Sequence, residues 1–102
     1  MMKLYNNAQS RGMTLFPLLK ELEIEDQIEQ IHVPYEQMHQ AEYLKVNPMG
    51  KVPCLVDKGI VISEVAAIFM YLADKYIEQG LAPALDDPKR GAYLKWMFFC
   101  HG

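Results

Sequence analysis

Cysteine is scarce in this chain: Cys54 and Cys100 are the only two, far apart and without CxxC spacing. That spacing excludes a disulfide framework and a thioredoxin-type dithiol pair, and Cys54 lies inside an apolar run where a structural role is expected. Basic residues are outnumbered, 10 Lys and Arg against 13 Asp and Glu, and no basic stripe stands out. A nucleic-acid role is therefore not expected. Half of the residues are hydrophobic, yet no apolar run approaches the ~20 residues that cross a bilayer. Met1-Met2-Lys3-Leu4-Tyr5-Asn6-Asn7 lacks the long apolar stretch of a signal peptide and reads as a short strand. No His/Cys spacing resembles a metal site, so no metal is expected. These absences leave an acidic domain of ordinary size, with no membrane partner and a cytoplasmic address as the expectation.

Along the chain, Lys3 to Asn6 reads as a strand, and Asn7-Ala8-Gln9-Ser10 as the loop leaving it. Leu15, Phe16, Leu19 and Leu22 recur at helical spacing. Pro17 within them implies a kink or a later helix start. Residues 27–33 alternate as a strand, and Ala41 to Val46 form a short helix or turn ended by Asn47-Pro48. Val52 to Val56 and Gly59 to Ile62 read as strands joined by a tight Asp57-Lys58-Gly59 turn. Ser63 is the expected N-cap of the next helix, and Glu64 places negative charge in its first turn. Val65, Ile68, Phe69, Leu72 and Tyr76 form that helix's apolar stripe, and Gln79-Gly80 closes it. Asp87-Pro88 opens a last helix, with Asp as cap and Pro in the first turn.

Two segments carry chemistry. One is Asn47-Pro48-Met49-Gly50-Lys51-Val52-Pro53-Cys54-Leu55-Val56-Asp57, and the other is Ile62-Ser63-Glu64-Val65-Ala66-Ala67-Ile68. Together they resemble the glutathione-binding half of cytosolic glutathione S-transferases, whose motifs read NPxGKVPxL and xxExxAIxxYL. The resemblance implies an α/β fold of thioredoxin-like βαβαββα order, a four-stranded mixed sheet flanked by helices. It also implies a domain plan: residues 1–80 as the glutathione-binding domain, 81–87 as linker, and 88–102 as the first helix of an all-helical domain cut short. The implied activity is a glutathione transferase, which binds glutathione as co-substrate and activates its thiol for attack on an electrophilic small molecule.

The same resemblance assigns roles. Pro53 is expected to be cis, turning the main chain of Val52 towards the cysteinyl unit of glutathione. An edge-strand proline is the plain reading of an arbitrary Val-Pro. Glu64 is expected to accept the glutathione ammonium, with the neighbouring carboxylate over the N–H groups of the helix start. As a bare acidic residue it would serve only the helix dipole. The family usually places Ser after this Glu. Val65 lacks the hydroxyl, so binding weaker by about 1 kcal/mol is expected. Lys51 is the first candidate for the glycyl carboxylate, ahead of His39, Gln37 and Lys45, which otherwise read as solvated loop residues.

A thiol of ordinary pKa is mostly protonated at neutral pH, so a hydroxyl donating to the sulfur is sought. Ser10 stands where serine-type and cysteine-type members place their active residue, and Tyr5 where tyrosine-type members do. Ser10 is preferred, with Tyr5 as the alternative. Helix capping and core packing are their respective plain readings, and Arg11 can add positive potential. The last helix carries Tyr93, Leu94, Trp96, Met97, Phe98 and Phe99 nearly all around its axis. So wide an apolar surface implies a homodimer or a missing helical partner. A second class of function stays open: the same fold serves as a non-catalytic binding or assembly module, as in the stringent starvation protein and elongation-factor subunits. The absence of CxxC counts against a glutaredoxin-like reductase.

Overall fold

A computed structural model describes residues 1–101. Strand β1 (Met2–Asn6) pairs in parallel with β2 (Ile28–His32) and antiparallel with β3 (Cys54–Asp57). A hairpin then adds β4 (Ile60–Ser63), giving the order β2-β1-β3-β4. Helix α1 (Leu15–Glu21) connects β1 to β2, and α2 (Ala41–Val46) lies between β2 and β3. After β4 come α3 (Val65–Lys75) and α4 (Arg90–His101). This is the four-stranded mixed sheet with flanking helices that the motif order implied.

The period-2 alternation of β1 divides the molecule. Met2 and Leu4 join Leu15, Leu19, Leu22, Leu55, Ile68 and Leu72 in the main core, on the face covered by α1 and α3. Tyr5 points the other way, into a smaller cluster of Val33, Met38 and Tyr43 with Val46 and Val52. Its ring lies 5.8 Å from that of Tyr43.

Local rules explain most boundaries. A 3-10 turn over Arg11–Thr14 precedes α1, so Pro17 falls in the first turn, where a missing N–H costs little, and the helix starts before the proline rather than after it. At the other end of α1, Glu23 is left-handed at φ 58. Ile24 N–H bonds to Leu19 C=O and Glu23 N–H to Lys20 C=O, at 3.1 and 3.0 Å, the double bond of a Schellman cap. The β3–β4 hairpin pairs Asp57 with Ile60. Its two central residues, Lys58 and Gly59, both have positive φ (52 and 81), as a type I′ turn requires.

Three expected helix ends are corrected. Ser63 is not the cap of α3: it is the last residue of β4, paired with Cys54. The N-cap is Glu64, with φ 80, ψ 129 and no side-chain cap hydrogen bond. Sheet pairing carries the strand one residue further than the local pattern suggests, and the reversal falls on Glu64. Helix α3 also stops at Lys75. A separate 3-10 turn, Ile77–Gln79, follows and ends on left-handed Gly80. Before α4, Asp87 accepts the Lys89 N–H through its carboxylate at 2.8 Å, so the expected cap residue acts in the turn leading to the helix. Helix α4 leans on α3 through Phe69 and His101 and through an Arg90–Asp74 ion pair at 2.9 Å. Trp96, Phe98 and Phe99 remain exposed.

Candidate glutathione site

The turn before β3 is built by one asparagine. Buried Asn47 accepts the Met49 N–H at 3.1 Å and donates to the Lys51 carbonyl at 2.9 Å. Gly50 closes the turn at φ +65, and a Cβ there would crowd the Met38 carbonyl, Leu44 and His39 Nδ1. Only glycine meets both demands. The Tyr43 hydroxyl adds a second donor to the Lys51 carbonyl, at 2.7 Å. Burial, with Cys54 close by, pushes the Tyr43 pKa up to about 12, so it stays a donor throughout the physiological range. The chain thus leaves Lys51 in a fixed direction, and the Val52–Pro53 peptide that follows is cis.

Across from this turn, β4 ends and α3 begins. Between the two segments lies a cavity of about 310 Å³ lined by Arg11, Met49, Lys51, Val52, Pro53, Ser63, Glu64 and Val65. Five of the expected site residues, Lys51, Val52, Pro53, Glu64 and Val65, are therefore brought together. The lining holds two cations, Arg11 and Lys51, and one carboxylate, Glu64, at the head of an eleven-residue helix.

Other expected residues stand elsewhere. Ser10 does not line this cavity. It caps the 3-10 turn, accepting the Gly12 N–H at 3.0 Å and donating to the Asn7 carbonyl at 2.7 Å. Arg11, its neighbour, reaches the cavity instead. Tyr5 packs against Tyr43 on the α2 side of the sheet, because strand alternation turns it away from the cavity. His39 is exposed and abuts the Gly50 turn rather than the cavity. Gln37 is exposed in the turn before α2, and Lys45 lines a different cavity near the β3–β4 hairpin. Buried Cys54 has its thiol pKa raised by burial, the behaviour of a structural cysteine.

The loop carrying Ser10 and Arg11 has an organiser that sequence reasoning passed over. Buried Asn6, the last residue of β1, donates to the Gly12 carbonyl at 2.9 Å and accepts the Asn7 N–H at 2.8 Å. A Cβ on Gly12 would collide with the Asn6 amide oxygen. The available signal was a pair of asparagines at a strand end, which reads locally as any polar loop.

Residues 1–74 match the family model described as glutathione S-transferase, N-terminal domain. The chain belongs to the glutathione S-transferase family. It is 41% identical over 106 residues to the glutathione S-transferase hmp2 of Hypomyces subiculosus, covering 95% of this chain and 49% of that protein. A glutathione transferase from Methylococcus capsulatus superposes with a TM-score of 0.85 at 32% identity, over 97% of this chain and 50% of its own. A glutathione transferase homologue from Lodderomyces elongisporus, solved with two glutathione molecules per subunit, superposes at 0.82 with 25% identity, over 96% and 49%. The chain thus spans about half the length of these three proteins. Its sheet and helices form the thioredoxin-like N-terminal domain of the family. Among the described residues no group of three or more His, Cys, Asp or Glu could hold a metal ion, and no helix is long and apolar enough to cross a membrane.

Proposed function

We propose that the cavity between Lys51 and Glu64 binds glutathione, and that the whole protein is a glutathione transferase. The observation that carries this reading is charge complementarity within one cavity. Glutathione has two carboxylates, one ammonium and a thiol that ionises; the lining offers Lys51 and the head of α3 for the carboxylates, Glu64 for the ammonium and Arg11 for the developing thiolate. In this reading Glu64 takes the ammonium, the α3 N-terminus takes the adjacent carboxylate, Lys51 takes the glycyl carboxylate, and the Val52 main chain holds the cysteinyl unit. Val65 presents only its backbone N–H where a serine would add a hydroxyl.

The Ser10–Arg11 loop activates the thiol. In this reading the sulfur extends from the cavity at its Arg11 edge towards the adjoining Ser10, whose hydroxyl, outside the lining, turns from the Asn7 carbonyl to donate to it, and Arg11 supplies positive potential. Both favour the thiolate over the thiol. The thiol proton leaves to solvent. The sulfur lone pair then forms a bond to the electrophilic carbon, and a leaving group departs or a π bond opens. The exposed aromatic residues of α4 suit a homodimer or a following helical domain, and a cytoplasmic setting accords with two free cysteines. The transferase reading is favoured over a non-catalytic module because these charged groups converge on one cavity.

Calorimetry with glutathione on the full-length protein tests the reading. Binding should weaken about tenfold in Lys51→Ala and several-fold tighten in Val65→Ser. No heat at millimolar glutathione would overturn it. Ser10→Ala should raise the pKa of the bound thiol, read from thiolate absorbance, while Tyr5→Phe should not. The reverse pattern would move activation to Tyr5.

A further inference from the structure

A second concavity, of about 690 Å³, lies at the other end of β3 and shares no lining residue with the first. Four lysines from four different elements converge on it: Lys3 of β1, Lys45 of α2, Lys58 of the hairpin turn and Lys75 of α3. In a chain with more acidic than basic residues, 13 against 10, this surface has four cations and a single carboxylate, Asp57. That carboxylate is already engaged, accepting the Tyr71 hydroxyl at 2.6 Å and the Lys75 ammonium at 3.0 Å. It anchors Lys75 and leaves the other three amines without an acidic partner in the lining. Two part-buried tyrosines, Tyr5 and Tyr76, also line it.

Lys58 supplies an independent observation. It occupies the first central position of the type I′ turn at φ 52, where Asn, Asp or Gly is favoured and a long side chain costs about 1 kcal/mol or more. The turn thus sets Lys58 at the hairpin end beside the three other lysines of the lining. We propose that this concavity binds a small organic polyanion with several phosphates and an aromatic ring, the chemistry of a nucleoside di- or triphosphate. The lysines meet the phosphates through charge-assisted hydrogen bonds, and a tyrosine face receives the ring. The site is independent of the glutathione reading.

The test is calorimetry and thermal shift on the full-length protein, with ATP as probe and tripolyphosphate and adenosine as comparisons. ATP should bind and raise the melting temperature, and its affinity should fall several-fold between about 0.05 and 0.2 M salt. Tripolyphosphate should bind more weakly than ATP, and adenosine alone weakly or not at all. Lys58→Asn, which suits the turn, should leave the melting temperature of the free protein equal or higher while weakening ATP about tenfold; Lys45→Glu should weaken it at least as much. No response to millimolar ATP, or equal ATP affinity in both variants, overturns the proposal. Equal affinity for tripolyphosphate and ATP overturns the aromatic part of it.

Discussion

Glu64 joins two properties that usually occur apart: it lines the proposed glutathione cavity, and its backbone sits at φ 80, ψ 129. A non-glycine residue held there carries on the order of 1–3 kcal/mol of strain. Replacing it with glycine removes the strain but adds flexibility to the unfolded chain, a loss of about 0.5–1 kcal/mol. Glu64→Gly should therefore be more stable by about 1 kcal/mol, a rise in melting temperature of roughly 2–8 °C depending on chain length. Losing the carboxylate should act oppositely on the ligand. A hydrogen bond to a charged group contributes about 1.5–3 kcal/mol, so glutathione should bind roughly ten- to a hundredfold more weakly. Glu64→Gln separates the two effects, because it keeps the strained backbone and discards the charge. It should lose affinity like the glycine variant without gaining stability. Urea unfolding and glutathione calorimetry on the three proteins decide. A glycine variant no more stable than the parent would refute the strain argument. Undiminished glutathione affinity in both variants would refute the role of the carboxylate.

Other outcomes follow from the same geometry. Glu23 is the left-handed residue of the Schellman cap of α1, and nothing in the proposed site needs its side chain. Glu23→Gly should stabilise by about 1 kcal/mol in urea unfolding while leaving glutathione affinity unchanged. Tyr43→Phe removes one of two donors to the Lys51 carbonyl; it should cost about 1 kcal/mol of stability and weaken glutathione by loosening the turn that directs Val52. The Asp57 carboxyl is held below its ordinary value of 3.8, first by the Tyr71 hydroxyl and then by Lys75. Its contribution is therefore complete above that ordinary value and lost as pH falls through the lower folded value. Asp57→Asn should be less stable than the parent at neutral pH, and the difference should shrink on acidification below about pH 4; a difference that does not vary with pH would refute the assignment.

The legible parts of this molecule are those fixed within a few residues. Asn47 and Gly50 build their turn from side-chain bonds and a positive φ that adjacent residues dictate, and the segment from Asn47 to Pro53 stood out in the sequence through its resemblance to the family motif. The illegible parts depend on pairing and on which face a residue takes. Ser63 looks like a helix cap because it precedes an acidic residue and an apolar stripe; it is a strand residue because Cys54, nine positions earlier, holds it in the sheet. That one-residue shift places the strained reversal on Glu64, a residue of the cavity lining. In the sequence Ser10 is the preferred activating hydroxyl and Tyr5 the alternative, each by its place in the family pattern, and nothing local shows which way either side chain faces. The alternation of β1 turns Tyr5 to the α2 face, while the bonds of Asn6 to residues 7 and 12 hold the Ser10–Arg11 loop beyond the strand end. The four lysines show the limit most clearly. They are spread from position 3 to position 75, each reads singly as a solvated side chain, and only the order β2-β1-β3-β4 and the end of α3 bring them to one concavity.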